Sequence, residues 1–371
     1  MSKKSIAIKL YIFLLSFGGI YHAGMAQNIS VEGTLFGRPF QANVDHELAK
    51  SMLTNRADSS VIQLFSDYRT HELNTETLSE ITQRYSMDVA TLFFAKRVYE
   101  QEKNKQLIDF YLTAVDTLPL EDPLSAFSFL QDYFIAFVPG FRYQHMDNGG
   151  DFLPQRRLLD SAGIPFEIIN IEDVGLPSVN AQIVASRLQE LNNIHSNIIV
   201  ISVSKGGLET AIALGKLAPP DNLSSVKAWI NVGGILKGSP IADHWGKPFM
   251  RFIMSNGLFW KRFWTSSDLR ADVGGLTREM SYVNGVKKYN EWSIPNQIKT
   301  ISLIAAPLAR EKVNRLFSAP NDGFSYLPDA MTENCAVVME MGLNHFFNDV
   351  DLNVRMAVLL RYIVNLVTNH E

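Results

Sequence analysis

The chain of 371 residues is 46% hydrophobic and carries 34 basic against 38 acidic side chains, a formal charge of −4. It has no basic tract, which argues against nucleic acid as a partner. Its one cysteine, Cys335, cannot close an intrachain bridge, so a packed core must hold the chain together, and the length is ample for that.

Residues 1–26 read as a secretory signal peptide. Lys3, Lys4 and Lys9 give a basic start, Leu10 to Ile20 is an apolar run, and Gly24-Met25-Ala26 supplies the small residues of a cut site after Ala26. The run is short for a membrane span. The mature protein is therefore expected in the periplasm or outside the cell. Losing three lysines and no acid takes its formal charge to −7.

From residue 27 to about 122 the pattern is helical and carries no catalytic signature. Thr77-Leu-Ser-Glu80 has the form of a capping box. Val89, Leu92, Phe93 and Tyr99 share one helical face, and Leu107, Ile108, Tyr111, Leu112 and Val115 form a cleaner stripe. The reading is a helical N-terminal extension, joined to the C-terminal part of the chain through Thr117 to Pro123.

Residues 123–371 alternate strand and helix, the pattern of a mostly parallel sheet flanked by helices with right-handed crossovers. Tyr133 to Val138 is a strand ending at Pro139-Gly140-Phe141. Leu153 to Ala162 is a helix, and Phe166 to Asn170 the next strand. A helix capped by Ser178 comes next, with Val184, Leu188 and Leu191 facing the sheet. Ile198 to Ser202 is a β-branched run buried on both faces. It passes through Ser204-Lys205-Gly206-Gly207 into a helix that continues from Leu208. Val226 to Val232 is a strand, and Ile298 to Ile304 and Ala336 to Glu340 complete the sheet. A closing helix repeats Leu352, Met356, Leu359, Ile363 and Leu366.

An insertion at about 241–296 interrupts this order. Between Trp245 and Trp264 it holds three of the five tryptophans, together with Phe249, Phe252, Phe259 and Phe263. Basic side chains break the run, so it is no membrane span. Phe259 and Trp260 are read as lining an apolar acyl pocket. The alternatives are a cap whose aromatics are its own core, or transient contact with a lipid surface.

A strand, a one-residue turn bearing serine and a helix make a nucleophile elbow, a strained turn that needs small neighbours. Here the pattern is Ser202-Val203-Ser204-Lys205-Gly206, with Ser202 where glycine is usual. Together with Val138-Pro-Gly-Phe141, Asn321-Asp-Gly323 and Gly342-Leu-Asn-His345, in that chain order, this region resembles the α/β-hydrolase superfamily, and bacterial secreted lipases and esterases within it. The resemblance covers residues from about 130 to 371. It implies an α/β-hydrolase fold and a serine hydrolase acting on carboxylic esters, small-molecule or lipid, without a cofactor or metal.

Each piece has its chemistry. A serine hydroxyl needs an adjacent base, and His345, between the last strand and the final helix, fits best; His244 is a minor candidate. The base needs a carboxylate partner. Asp322 resembles the family acid, Asp243 is the alternative after the preceding strand, and Asp329, Glu333 and Asp349 remain open. The developing oxyanion needs preorganised donors, expected from the backbone amides of Phe141 and Lys205. Acyl transfer to another acceptor or polyester cleavage would use the same residues. A binding protein on a hydrolase scaffold is the reading from another class. The oligomeric state stays open.

Overall fold

The computed structural model describes residues 28–368 apart from 55–56, 119–121, 145–148, 248–271, 290–292, 309–315 and 349. The leader at 1–26 and the aromatic stretch with Phe259 and Trp260 lie outside the described residues.

Six strands form one sheet: β3 (Phe134–Val138), β4 (Phe166–Ile168), β5 (Ile198–Val203), β6 (Val226–Val232), β7 (Lys299–Ala306) and β8 (Ala336–Met341). Their order is β4-β3-β5-β6-β7-β8 and every pairing is parallel. The chain leaves β3 in one direction to lay down β4, then returns to place β5 on the other side. The gap above the carboxyl ends of β3 and β5 is therefore a topological switch point, where open α/β sheets bind ligands.

Because strand side chains alternate, the apolar runs fill two layers. Ile135, Phe137, Ile199 and Ile201 face one side with Ile230 and Leu303. They pack on helices α5 (Glu102–Thr117), α6 (Leu153–Ser161) and α12 (Leu352–Thr368). Phe134, Ala136, Val138, Ile198 and Val200 face the other, against α7 (Pro177–Asn192) and α8 (Lys205–Ile212). This is the α/β-hydrolase arrangement, and the continuous hydrophobicity of the strands follows from burial on both faces.

The N-terminal extension is helical only in part. It opens with an antiparallel hairpin, β1 (Ile29–Leu35) and β2 (Arg38–Val44). The two-residue loop Phe36-Gly37 has both φ angles positive, 52° and 76°, as a right-twisted hairpin requires. Helices α1 (Glu47–Leu53), α2 (Ser59–Asp67), α3 (Thr75–Arg84) and α4 (Met87–Tyr99) precede α5. The expected capping box at Thr77 is not formed. The N-cap of helix α3 is Asn74, three residues earlier, and its Oδ1 accepts the Thr77 N–H at 2.9 Å. Glu80 instead accepts the Tyr68 hydroxyl at 2.7 Å.

The extension covers the β8 edge of the sheet. Asn104 on α5 is buried and its Oδ1 accepts the outward N–H of Val337 on β8 at 2.9 Å. Nearby, Glu340 on β8 accepts from both Tyr111 and Arg355. Leu78, Ile81, Phe93 and Phe94 share a core with Val337, Met339 and the loop residues Phe317, Tyr326 and Leu327. An uncovered edge strand is a template for pairing with other chains, so α5 protects as well as packs.

The described parts of the insertion are the short helix α9 (Pro240–Trp245) at its start and, after residue 271, α10 (Val273–Glu279) and α11 (Tyr282–Tyr289). Ser178 does not cap α7 with its own side chain. The carboxylate of Glu279 accepts its N–H and its hydroxyl, each at 2.8 Å, so the insertion caps that helix. Among the described residues no helix is long and apolar enough to cross a membrane.

Candidate active site

Ser204 is the hinge between β5 and α8, with φ 54° and ψ −122°. A non-glycine residue in that region is strained by roughly 1–3 kcal/mol and persists only where its surroundings fix it. They do so here. Its N–H donates to Val232 O at 3.0 Å, and its carbonyl accepts from Gly207 and Ile235 at 3.0 and 3.1 Å. The glycine two residues on is a steric necessity. A Cβ on Gly206 would lie 2.4 Å from the Pro139 carbonyl oxygen, where the first turn of α8 meets the end of β3.

The departure at Ser202 also has a local reason. Its side chain is fully buried, and its hydroxyl accepts the indole N–H of Trp229 on β6 at 2.8 Å. Glycine there would leave that buried donor without its acceptor.

His345 follows β8 and points back over the elbow. Its Nε2 lies 2.9 Å from Ser204 Oγ and its Nδ1 lies 2.6 Å from Asp322 Oδ2. A carboxylate can only accept, so Nδ1 carries the proton and Nε2 is free to accept from the serine hydroxyl. The side chains of His345 and Asp322 are 6% and 1% exposed, and in so dry a place each hydrogen bond gains strength.

Asp322 is held on every side. Its Oδ1 accepts the N–H groups of Phe324 and Ser325, both at 2.8 Å, leaving Oδ2 for the imidazole. Its carbonyl accepts the His345 N–H at 2.9 Å. The Phe324 ring lies 4.6 Å from the imidazole, centroid to centroid. A Cβ on Gly233 would sit 3.5 Å from His345 Nδ1. Gly233 has φ 54°, so both its conformation and its small size leave room for the imidazole.

The other candidates have different work. Asp243, the alternative acid, caps α11: its Oδ1 accepts from Ser281 and its Oδ2 accepts the Tyr282 N–H at 3.0 Å. It cannot fill both posts, and Asp322 holds the imidazole. Asp329 accepts from Thr75 Oγ at 2.6 Å and from Lys237 Nζ at 2.9 Å, which ties the extension to the acid loop. His46 caps α1, and His195 stacks on Phe134. His244 is partly buried, which pushes its pKa down. Asp349 lies outside the described residues.

The two expected oxyanion donors flank the serine. Phe141 follows Gly140, whose N–H is engaged by Gly150 O at 2.9 Å, and a Cβ on Gly140 would touch Ser204 Cβ at 3.6 Å. Among the described residues no acceptor takes the N–H of Phe141 or of Lys205. Arg142, next in the loop, is itself strained at φ 57°. Among the described residues no group of three or more His, Cys, Asp or Glu side chains is placed to hold a metal ion.

Sequence reasoning did not reach the side chain of Lys205. It is 1% exposed and paired with the fully buried Glu209 one turn along α8. Lysine and glutamate four apart ordinarily signal a solvated helix face, so nothing in the pattern marks this pair as internal.

Solved structures similar to the chain include the metagenomic carboxyl esterase MGS0156, at 16% identity over 63% of this chain and 76% of that one, with a TM-score of 0.49. Another is the mature form of the Bacillus licheniformis lipase BlEst2, at 17% identity over 64% and 92%, with a TM-score of 0.46. Phospholipase PlaB from Legionella pneumophila is similar at 13% identity over 63% and 60%, with a TM-score of 0.44. No protein-family model matches the chain, and no curated protein sequence does. The fold class, an α/β hydrolase, stands on the sheet order and the strained elbow at its switch point.

Proposed function

We propose that the protein is a serine hydrolase that cleaves carboxylic esters through an acyl-enzyme. The observation that carries this is the 2.9 Å approach of His345 Nε2 to a serine hydroxyl on a strained elbow, with Asp322 fixing the tautomer behind it. Ser204 Oγ attacks the ester carbonyl while its proton passes to Nε2. Asp322 stabilises the imidazolium that forms. The carbonyl oxygen, now negative, is received by the N–H groups of Lys205 and Phe141. Collapse expels the alcohol, which takes the proton from His345 and leaves an acyl-serine. Water then repeats the sequence with His345 as base and frees the acid.

A hydrophobic acyl chain is the preferred substrate, on the strength of the aromatic sequence around Phe259 and Trp260. Export to the periplasm or beyond is proposed from the basic start and apolar run of residues 1–26. The reaction is tested by rapid quenching during turnover of p-nitrophenyl butyrate. Intact-mass spectrometry should find the protein heavier by one butyryl group, and an Asp322→Asn or His345→Ala chain should not accumulate that species. A noncovalent mechanism would leave the mass unchanged throughout.

A further inference from the structure

The two oxyanion donors come from different parts of the chain, Phe141 from the loop after β3 and Lys205 from the first turn of α8. Buried polar side chains run between them. The Lys205 ammonium pairs with Glu209. Glu209 Oε1 also accepts from Asn180 Nδ2 at 2.8 Å. Asn180, on α7, is fully buried, and its amide brackets the Glu172 backbone, donating to its carbonyl at 2.9 Å and accepting its N–H at 3.0 Å. The segment so fixed holds the oxyanion loop. Asp173 O accepts the Arg142 N–H at 3.1 Å, Asp173 Oδ1 accepts the Gln144 N–H at 3.0 Å, and Ile171 O accepts the Tyr143 hydroxyl at 3.1 Å.

Stability alone does not account for the arrangement. A buried ion pair is commonly no better for stability than apolar residues of the same volume. Glu209 Oε2 is buried with no hydrogen-bond partner among the described residues, a further cost. Burial pushes the Glu209 carboxyl up, against the pull of Lys205. What the network does supply is a rigid link. Lys205 Nζ to Glu209 fixes the turn whose amide faces the oxyanion, and Asn180 and Glu172 carry the connection to the residue beside Phe141.

We propose that the Lys205 side chain, Glu209 and Asn180 are positioning residues that set the spacing of the two oxyanion donors. The inference rests on the serine-hydrolase reading and extends it to residues that never touch substrate. Misplaced donors weaken binding of the transition state more than binding of the ester, so the effect belongs in kcat.

The test compares wild type, Lys205→Met/Glu209→Leu and Asn180→Ala on p-nitrophenyl butyrate, with melting curves and with inhibition by a butyl boronic acid. The paired replacement removes both charges together and should fold. It should lower kcat by about 10- to 100-fold with KM nearly unchanged, of the order lost when one oxyanion donor is weakened. Boronic acid affinity should fall in the same proportion. Asn180→Ala keeps both charges and should show the same split between kcat and KM, which decides the matter if the paired replacement does not fold. Folded variants with wild-type kcat, or losses confined to KM, overturn the inference. A wild-type chain that turns over no ester overturns the serine-hydrolase reading, and this one with it.

Discussion

The hydroxyl of Ser202 accepts the indole N–H of Trp229 at 2.8 Å, two residues ahead of the strained Ser204. The position where the elbow pattern calls for glycine thus carries a buried hydrogen bond between β5 and β6. Restoring the pattern with Ser202→Gly should strand the Trp229 donor. The expected cost is about 1–3 kcal/mol of stability, read from urea denaturation, with ester turnover largely kept because glycine leaves the turn uncrowded. Loss of turnover without loss of stability would mean that Ser202 acts in the chemistry.

A second prediction separates the two carboxylates. Asp322→Asn supplies an amide where the imidazole N–H needs a carboxylate, and kcat should fall by up to about 10⁴ in a folded protein. Asp243→Asn should leave kcat nearly unchanged and cost about 1 kcal/mol through the weakened cap of α11. Kinetics and thermal melts on both variants check this, and the reversed pattern would move the acid to Asp243.

A third prediction concerns the sheet edge. Asn104→Ala removes the acceptor of the buried Val337 N–H. It should destabilise the whole protein by about 1–3 kcal/mol, since the unpaired donor stays buried. Urea titrations followed by tryptophan fluorescence and by activity should shift together. If activity is unaffected by urea across the first of two separate transitions, the extension is an independent unit.

A fourth rests on the aromatic stretch. Phe259→Ala/Trp260→Ala should lower kcat/KM for long acyl esters more than for acetate, by at most about 0.8 kcal/mol per methylene. An equal loss at every chain length would assign those residues to packing instead.

Much of the site is legible in the sequence because it sits at strand ends. The β-branched run before Ser204 and the chain order Ser204, Asp322, His345, three residues that the fold brings together, are visible without coordinates. So is the sheet, since strands buried on both faces cannot hide their hydrophobicity. The hairpin at Ile29–Val44 is less visible. Only Val31, Leu35 and Val44 are fully buried in it, too few to impose a clear period of two. The tasks of Asp243 and Asp329 are equally hidden. Both are aspartates that follow a strand in the chain, and only long-range partners, Tyr282 for one and Thr75 for the other, distinguish a cap and a tether from a partner for the imidazole. Lys205 and Glu209 mislead for the opposite reason, since their spacing is that of an exposed pair while their side chains are buried.

The most direct test of the serine-hydrolase assignment is reaction with a fluorophosphonate, with peptide mapping of the adduct. The expected result is a single phosphonylated residue, Ser204, with labelling and p-nitrophenyl ester turnover both abolished by Ser204→Ala in a protein that still melts cooperatively. An adduct on another serine, or ester hydrolysis undiminished in the Ser204→Ala chain, would contradict it.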